Sequence, residues 1–183
     1  STPVVVGTFT LGQTGDIEIK KVYSDAFSTG GGYVCIVYYI YSATRTTLVV
    51  ERFVTGQETS VWSYTKTMRE KSDFVPPLSS NDTVYDSRVG MTAMDRDGNL
   101  YVSIVSATSG EGNYGIIRLS PEGEVTGQYL PVTAVANTQI YQDIAVLDNK
   151  LYAFSTTSIV MVDLETEKKY VIWKGKSACL RGL

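Results

Sequence analysis

The chain has 183 residues, 43% apolar and 19% charged, with a net charge of −3 and 16 scattered Lys and Arg. This is ordinary globular composition, which argues against a disordered chain and leaves no basic footprint for nucleic acid or an anionic membrane. Histidine is absent, which removes the commonest general base, the Ser-His-Asp triad and most transition-metal sites, so any chemistry falls to carboxylates, Lys, Tyr or Cys.

The first predicted element is a strand over 4–10, after a start "STPVVVG" that suits a cleaved secretory precursor and equally suits Met removal before a small residue. Strands follow at 17–22, 33–42, 46–54 and 58–66, rich in Val, Ile, Tyr and Thr and bounded by Gly, Ser and Asp. The longest apolar block, "YVCIVYYIY" at 33–41, is far short of the roughly 20 residues of a membrane span and reads as a buried strand. "STGGGY" (28–33) precedes that strand and lacks the Lys-Ser/Thr of a phosphate loop, so it is read as a hairpin connection. "SYTKTMREKS" (63–72) is the best helical candidate, yet it has few apolar positions at helical spacing and equally continues a strand.

Next comes a loop around "VPPLSS" with a sequon at Asn81, a glycosylation site if the protein is secreted. Strands are predicted at 89–95, 99–107, 114–120, 124–130, 141–148, 150–156, 158–164 and 169–175, with a stub at 178–183. Many short strands between tight turns mark a sandwich, barrel or propeller. The two cysteines, Cys35 and Cys179, both in apolar contexts, read first as buried thiols, with a disulfide between them as the alternative.

An internal repeat separates these architectures. "MTAMDRDGNLYVSIV…GIIRLSPEGEV" lies over "YQDIAVLDNKLYAFSTTSIVMVDLETEKKYVIW", with Leu100-Tyr101 matching Leu151-Tyr152 at a spacing of 51 and Ile116 matching Ile159 at 43. A third, fainter copy precedes them, which makes three four-stranded units: 17–66, 89–132 and 141–175. The segment "GMTAMDRDGNLYV…IIRLSPEGEV" resembles a blade of the NHL and SMP-30-like group of β-propellers; the likeness covers 89–175 well and 17–66 faintly, and Asp148-Asn149-Lys150 stands where the full D-G-N turn is expected. The implied fold is all-β: a β-propeller or part of one, with strands 4–10 and 178–183 belonging to an incomplete blade. Closed rings have four to eight blades, so the reading favours a longer propeller of which this is a portion, or a second chain or copy that completes the ring. A reduced fourth blade made from the two end strands is the remaining option.

Candidate sites follow from that frame. Asp95-x-Asp97-x-Asn99 has the first spacings of a calcium loop, but Leu100 stands where the loop needs Gly and Ser106 where it needs a bidentate Glu. Asp97-Gly98 between alternating apolar strands is instead read as a hairpin turn, with a rim calcium contact as the lesser alternative. "SPEG" (120–123) reads as a type I turn with Glu122 in solvent. The resemblance to calcium-dependent lactonases implies carboxylate ligands near the starts of innermost strands, where Asp16, Glu18, Asp86 and Asp143 stand; the more ordinary reading makes them strand-end caps. Among the aromatics, Tyr114, Trp62 and Trp173 are candidates for a partner-binding or sugar-stacking surface, against blade packing. The expected function is a non-enzymatic propeller module that binds a protein or glycan through loops at one end of the ring. The alternatives are a metal-dependent lactonase-like hydrolase and a structural subunit of an extracellular assembly.

Overall fold

The computed structural model describes residues 8–24, 32–70, 91–104, 115–130, 143–155 and 157–175. The strands 4–7 and 178–183, the glycines at 30 and 31, Asn81, Asp86, Tyr114 and Cys179 lie outside these residues. All described regular structure is β, arranged as three four-stranded antiparallel sheets, each with its strands in chain order. The chain divides into two compact units, residues 1–86 and 87–183.

The first unit holds one sheet: β1 (Asp16–Ser24), β2 (Tyr33–Tyr41), β3 (Arg45–Val54) and β4 (Trp62–Glu70). The two central strands are buried on both faces, which is why β2 is a continuous apolar run rather than an alternation. One face gathers Val34, Ile36, Tyr38, Val49 and Phe53 into a core, with Phe9, Leu11, Ile17 and Ile40 packed on it. β1 at the edge exposes Ile19 and Val22.

Three expectations change here. The helical alternative at 63–72 is overruled, because Thr65, Tyr64 and their neighbours pair along β3 as far as Glu70 opposite Arg45. The fourth strand also begins at Trp62 and not at 58: Thr55, Gly56 and Gln57 turn away from β3, and the Glu58 carbonyl accepts the Thr10 amide at 2.7 Å. Similarly, the described part of the predicted strand 4–10 is not a strand. Residues 8–10 lead into a segment laid over the sheet face, where the Phe9 ring sits 5.0 Å from that of Phe53. The amide of Gly12 is taken by a side chain of the sheet and not by a ladder partner.

The second unit holds two sheets. The first is β5 (Thr92–Met94), β6 (Leu100–Ser103), β7 (Ile116–Leu119) and β8 (Val125–Tyr129); the second is β9 (Asp143–Leu147), β10 (Lys150–Phe154), β11 (Ser158–Asp163) and β12 (Lys169–Lys174). They share one core: Tyr101, Ile116 and Tyr129 of the first sheet meet Ile144, Leu151, Ala153, Val160 and Val162 of the second. The first strands of the two sheets, β5 and β9, run beside each other. In the second sheet side chains at every second position of β10 and β11 enter this core, the alternation read from the sequence, whereas β6 and β7 of the first sheet are buried on both faces, with Leu100, Val102, Ile117 and Leu119 on the side away from it.

Candidate functional site

Two adjacent hairpin turns build a concavity in the second unit. Between β5 and β6, Asp95 organises the turn: its Oδ1 accepts the amides of Asp97 (3.0 Å) and Asn99 (2.9 Å), and its Oδ2 accepts the Asn99 side-chain amide (2.9 Å) and the Tyr101 hydroxyl (3.3 Å). Gly98, at φ 82°, makes the left-handed step and donates back to the Asp95 carbonyl at 3.2 Å. Both oxygens of Asp95 are thus spent on the turn. Between β9 and β10, Asp148 and Asn149 both have positive φ, 49° and 58°, the conformation of a two-residue type I′ hairpin.

These turns line a groove of about 470 Å³ together with Met94, Val146, Leu147 and Leu164, and Arg96 and Asp97 stand at its rim. Arg96, Asp97, Asp148 and Asn149 are exposed. The groove therefore offers an apolar floor with charged and amide groups at its edge, a donor and acceptor set suited to a polar ligand. Behind it, burial pushes the Tyr101 phenol up to about 12, aided by the Asp95 charge and opposed by Arg118.

Of the other carboxylates, Asp143 and Glu18 are engaged locally, each within its own unit. Asp143 accepts the amide of Ile144 at 2.8 Å, the strand-start cap expected of it, and lies at the exposed first position of β9. Asp16 is the exposed first residue of β1, in the first unit. Glu18, two residues on, accepts the Tyr41 hydroxyl at 2.6 Å and pairs with Lys20 at 2.6 Å; Lys20 first and Tyr41 second hold its carboxyl below the usual range. Among the described residues no three of these acidic or thiol side chains gather closely enough to hold a metal ion. Trp62 starts β4 in the first unit, and Trp173 lies on β12 in the second with its ring over Gly175. Cys35 is a buried free thiol, pushed up to about 12 by burial against a smaller opposing effect of Arg52.

One ionisable group was missed in reading the residues: Glu51, only 1% exposed on β3. Both its oxygens accept the Gly12 amide at 3.1 Å, and the Ser60 hydroxyl lies 3.4 Å from Oε1. The buried Tyr38 hydroxyl has no well-formed hydrogen bond, and burial first, then the Glu51 charge, raises its pKa. The available signal was the alternation Val49, Glu51, Phe53, which puts the carboxylate on the core face. Glu51 fastens the 8–15 segment to the sheet through the Gly12 amide.

No helix among the described residues is long and apolar enough to cross a membrane. No family model and no curated protein matches the sequence.

Proposed function

We propose that the chain is part of a β-propeller of the NHL-like kind and serves as a non-enzymatic binding or scaffold module, with another chain or a second copy completing the ring. The observation that carries the binding site is the groove between the Asp95–Asn99 and Asp148–Asn149 turns. Its two walls are equivalent turns of consecutive repeats, so it lies at one end of neighbouring sheets, where loops are free to vary without disturbing the core. The blade reading is supported by four-stranded meanders in chain order and by the neighbouring first strands β5 and β9.

The partner class is a glycan or a polar peptide, because the rim offers Arg96, Asp97, Asp148 and Asn149 over apolar Met94 and Leu164. The test is binding to an immobilised panel of glycans and of lysine-bearing peptides, with the wild type beside an Asp97→Lys/Asp148→Lys double variant. Saturable binding that the double variant loses by tenfold or more supports the groove. No saturable binding, or binding that survives the double substitution, overturns it.

A further inference from the structure

Trp62 stands outside the groove, and the register of the first unit's sheet places it in a row that crosses all four strands. Tyr23 lies opposite Cys35, Cys35 opposite Arg52, and Arg52 opposite Trp62. Residues directly opposite in an antiparallel ladder share a face. Phe53 belongs to the core on one side of the sheet, so its neighbour Arg52, and the row with it, is on the other. Tyr33, the next residue of β2 on that face, brings its ring centre to 3.8 Å from the Arg52 guanidinium carbon. Tyr23, Tyr33, Arg52 and Trp62 are all partly exposed, while Cys35 between them is buried.

Arg52 carries the inference. A stacked ring covers the flat face of a guanidinium and leaves its in-plane N–H donors, and among the described residues no hydrogen bond and no ion pair reaches those donors. A partly buried cation with five donors and no acceptor is costly to hold. The second cation of this end, Lys21, lies over Tyr23 at 5.9 Å. The acids of β1 on this face, Asp16 and Glu18, stand toward the other end of the strand, where Glu18 is already paired with Lys20. Among the described residues this end of the face is therefore positive, on a chain whose net charge is −3.

We propose that the row is a binding site for an acidic saccharide, a short chain of pyranose rings bearing carboxylates. Arg52 holds one carboxylate through two N–H donors, and Trp62 and Tyr23 stack on the sugar rings to either side. A planar carboxylate matches the guanidinium fork, and it answers the charge that the sheet leaves unpaired. Flat aromatic rings bring contact area at small entropic cost, and they suit the apolar face of a pyranose. From β1 to β4 the row crosses three strand spacings of about 4.8 Å and is roughly 14 Å long. That length holds more than one ring, so a short chain and not a single ion is the ligand. The site lies in the first unit and shares no residue with the groove, so the two stand or fall separately.

The experiment is isothermal titration of the full chain with a hexamer of galacturonic acid, at low and at physiological salt, beside the same hexamer with its carboxyls methyl-esterified. The expected result is saturable binding of the acid form that weakens as salt rises and is lost in the ester. Arg52→Met, which keeps the length of the stem, weakens binding by about tenfold or more, and Arg52→Lys weakens it severalfold because the charge stays while the fork goes. Trp62→Ala weakens binding without altering its salt dependence, since it removes a stacking face and no charge. β circular dichroism shows that each variant is folded, and the ester comparison, made on the wild type, depends on no variant. Absence of saturable binding overturns the proposal, as does equal binding of the ester or binding unchanged in folded Arg52→Met. A pentaglutamate peptide that competes as well as the hexamer, and whose binding needs Arg52, overturns the saccharide in favour of an acidic peptide.

Discussion

Glu51 is an acidic residue placed where a Val or Ile would be expected, and the fold answers it with the Gly12 amide and the Ser60 hydroxyl. Gly12 brings that amide to both carboxylate oxygens, and a Cβ on Gly12 would stand 2.6 Å from Oε1. Glu51→Ala takes the acceptor from the Gly12 amide and opens a cavity at a buried position, so a loss of about 2–4 kcal/mol is expected in urea unfolding, with Glu51→Gln losing less because an acceptor remains. Gly12→Ala is expected to destabilise as well, since the carboxylate or the crossing segment must move. Buried tyrosine carries a second prediction at this scale. Tyr101 is raised from 10.0 to about 12, so the folded state resists losing the phenolic proton that the unfolded chain gives up more easily. Its contribution to stability is complete below pH 10 and is lost as pH rises through about 12. The stability curve should therefore fall across that window, with part of the tyrosinate absorbance appearing only as the chain unfolds; a Tyr101→Phe variant flattens the fall.

Each hairpin turn is an arrangement of a few polar atoms, and the turns differ in how they solve the same problem. Asp95 closes a five-residue turn with four accepted hydrogen bonds, whereas Asp148 and Asn149 close a two-residue turn by backbone conformation alone, both at positive φ. Asp95→Ala is expected to cost about 1–2 kcal/mol, since partly exposed bonds are each worth about 1 kcal/mol or less. Asn149→Gly is expected to stabilise by about 0.5 kcal/mol, because glycine takes φ 58° without the steric cost an L side chain carries there. Thermal melts of the two variants separate the predictions by sign. Much of this was legible in the residues: short apolar runs and period-two alternation, with Gly, Asp and Asn at the turns, locate the strands of all three sheets to within a few positions. What alternation does not contain is the partner of a non-repeating segment. Residues 8–15 carry strand-like residues, but a long-range bond to Glu51 decides their path. The groove was half legible in the same way, because Asp95 and Asp97 were visible as a turn, while the approach of Asp148 and Leu164 depends on how two sheets pack.

At the scale of the whole chain, the decision between a binding module and a metal-dependent hydrolase turns on where carboxylates have free lone pairs. Asp95 has both oxygens bonded within its own turn, and one oxygen of Asp143 is held by the amide of Ile144. Glu18 is bonded to Lys20 and Tyr41. A cation that bound only the folded chain would raise its melting temperature by mass action, by about 2.7 kcal/mol of stability at a hundred times its dissociation constant. Millimolar calcium and an excess of chelator are therefore expected to leave the melting curve where it stands. A calcium-dependent rise lost in Asp16→Asn, Asp143→Asn or Asp86→Asn would identify the ligand concerned and move the reading to the hydrolase. A rise lost in Asp95→Asn or Asp97→Asn would place the ion at the rim turn instead, where it would act on binding and not on bond cleavage. Because the turn competes for the same Asp95 oxygens, such an ion would have to displace the amides of Asp97 and Asn99, and its binding would register as a change in their hydrogen exchange.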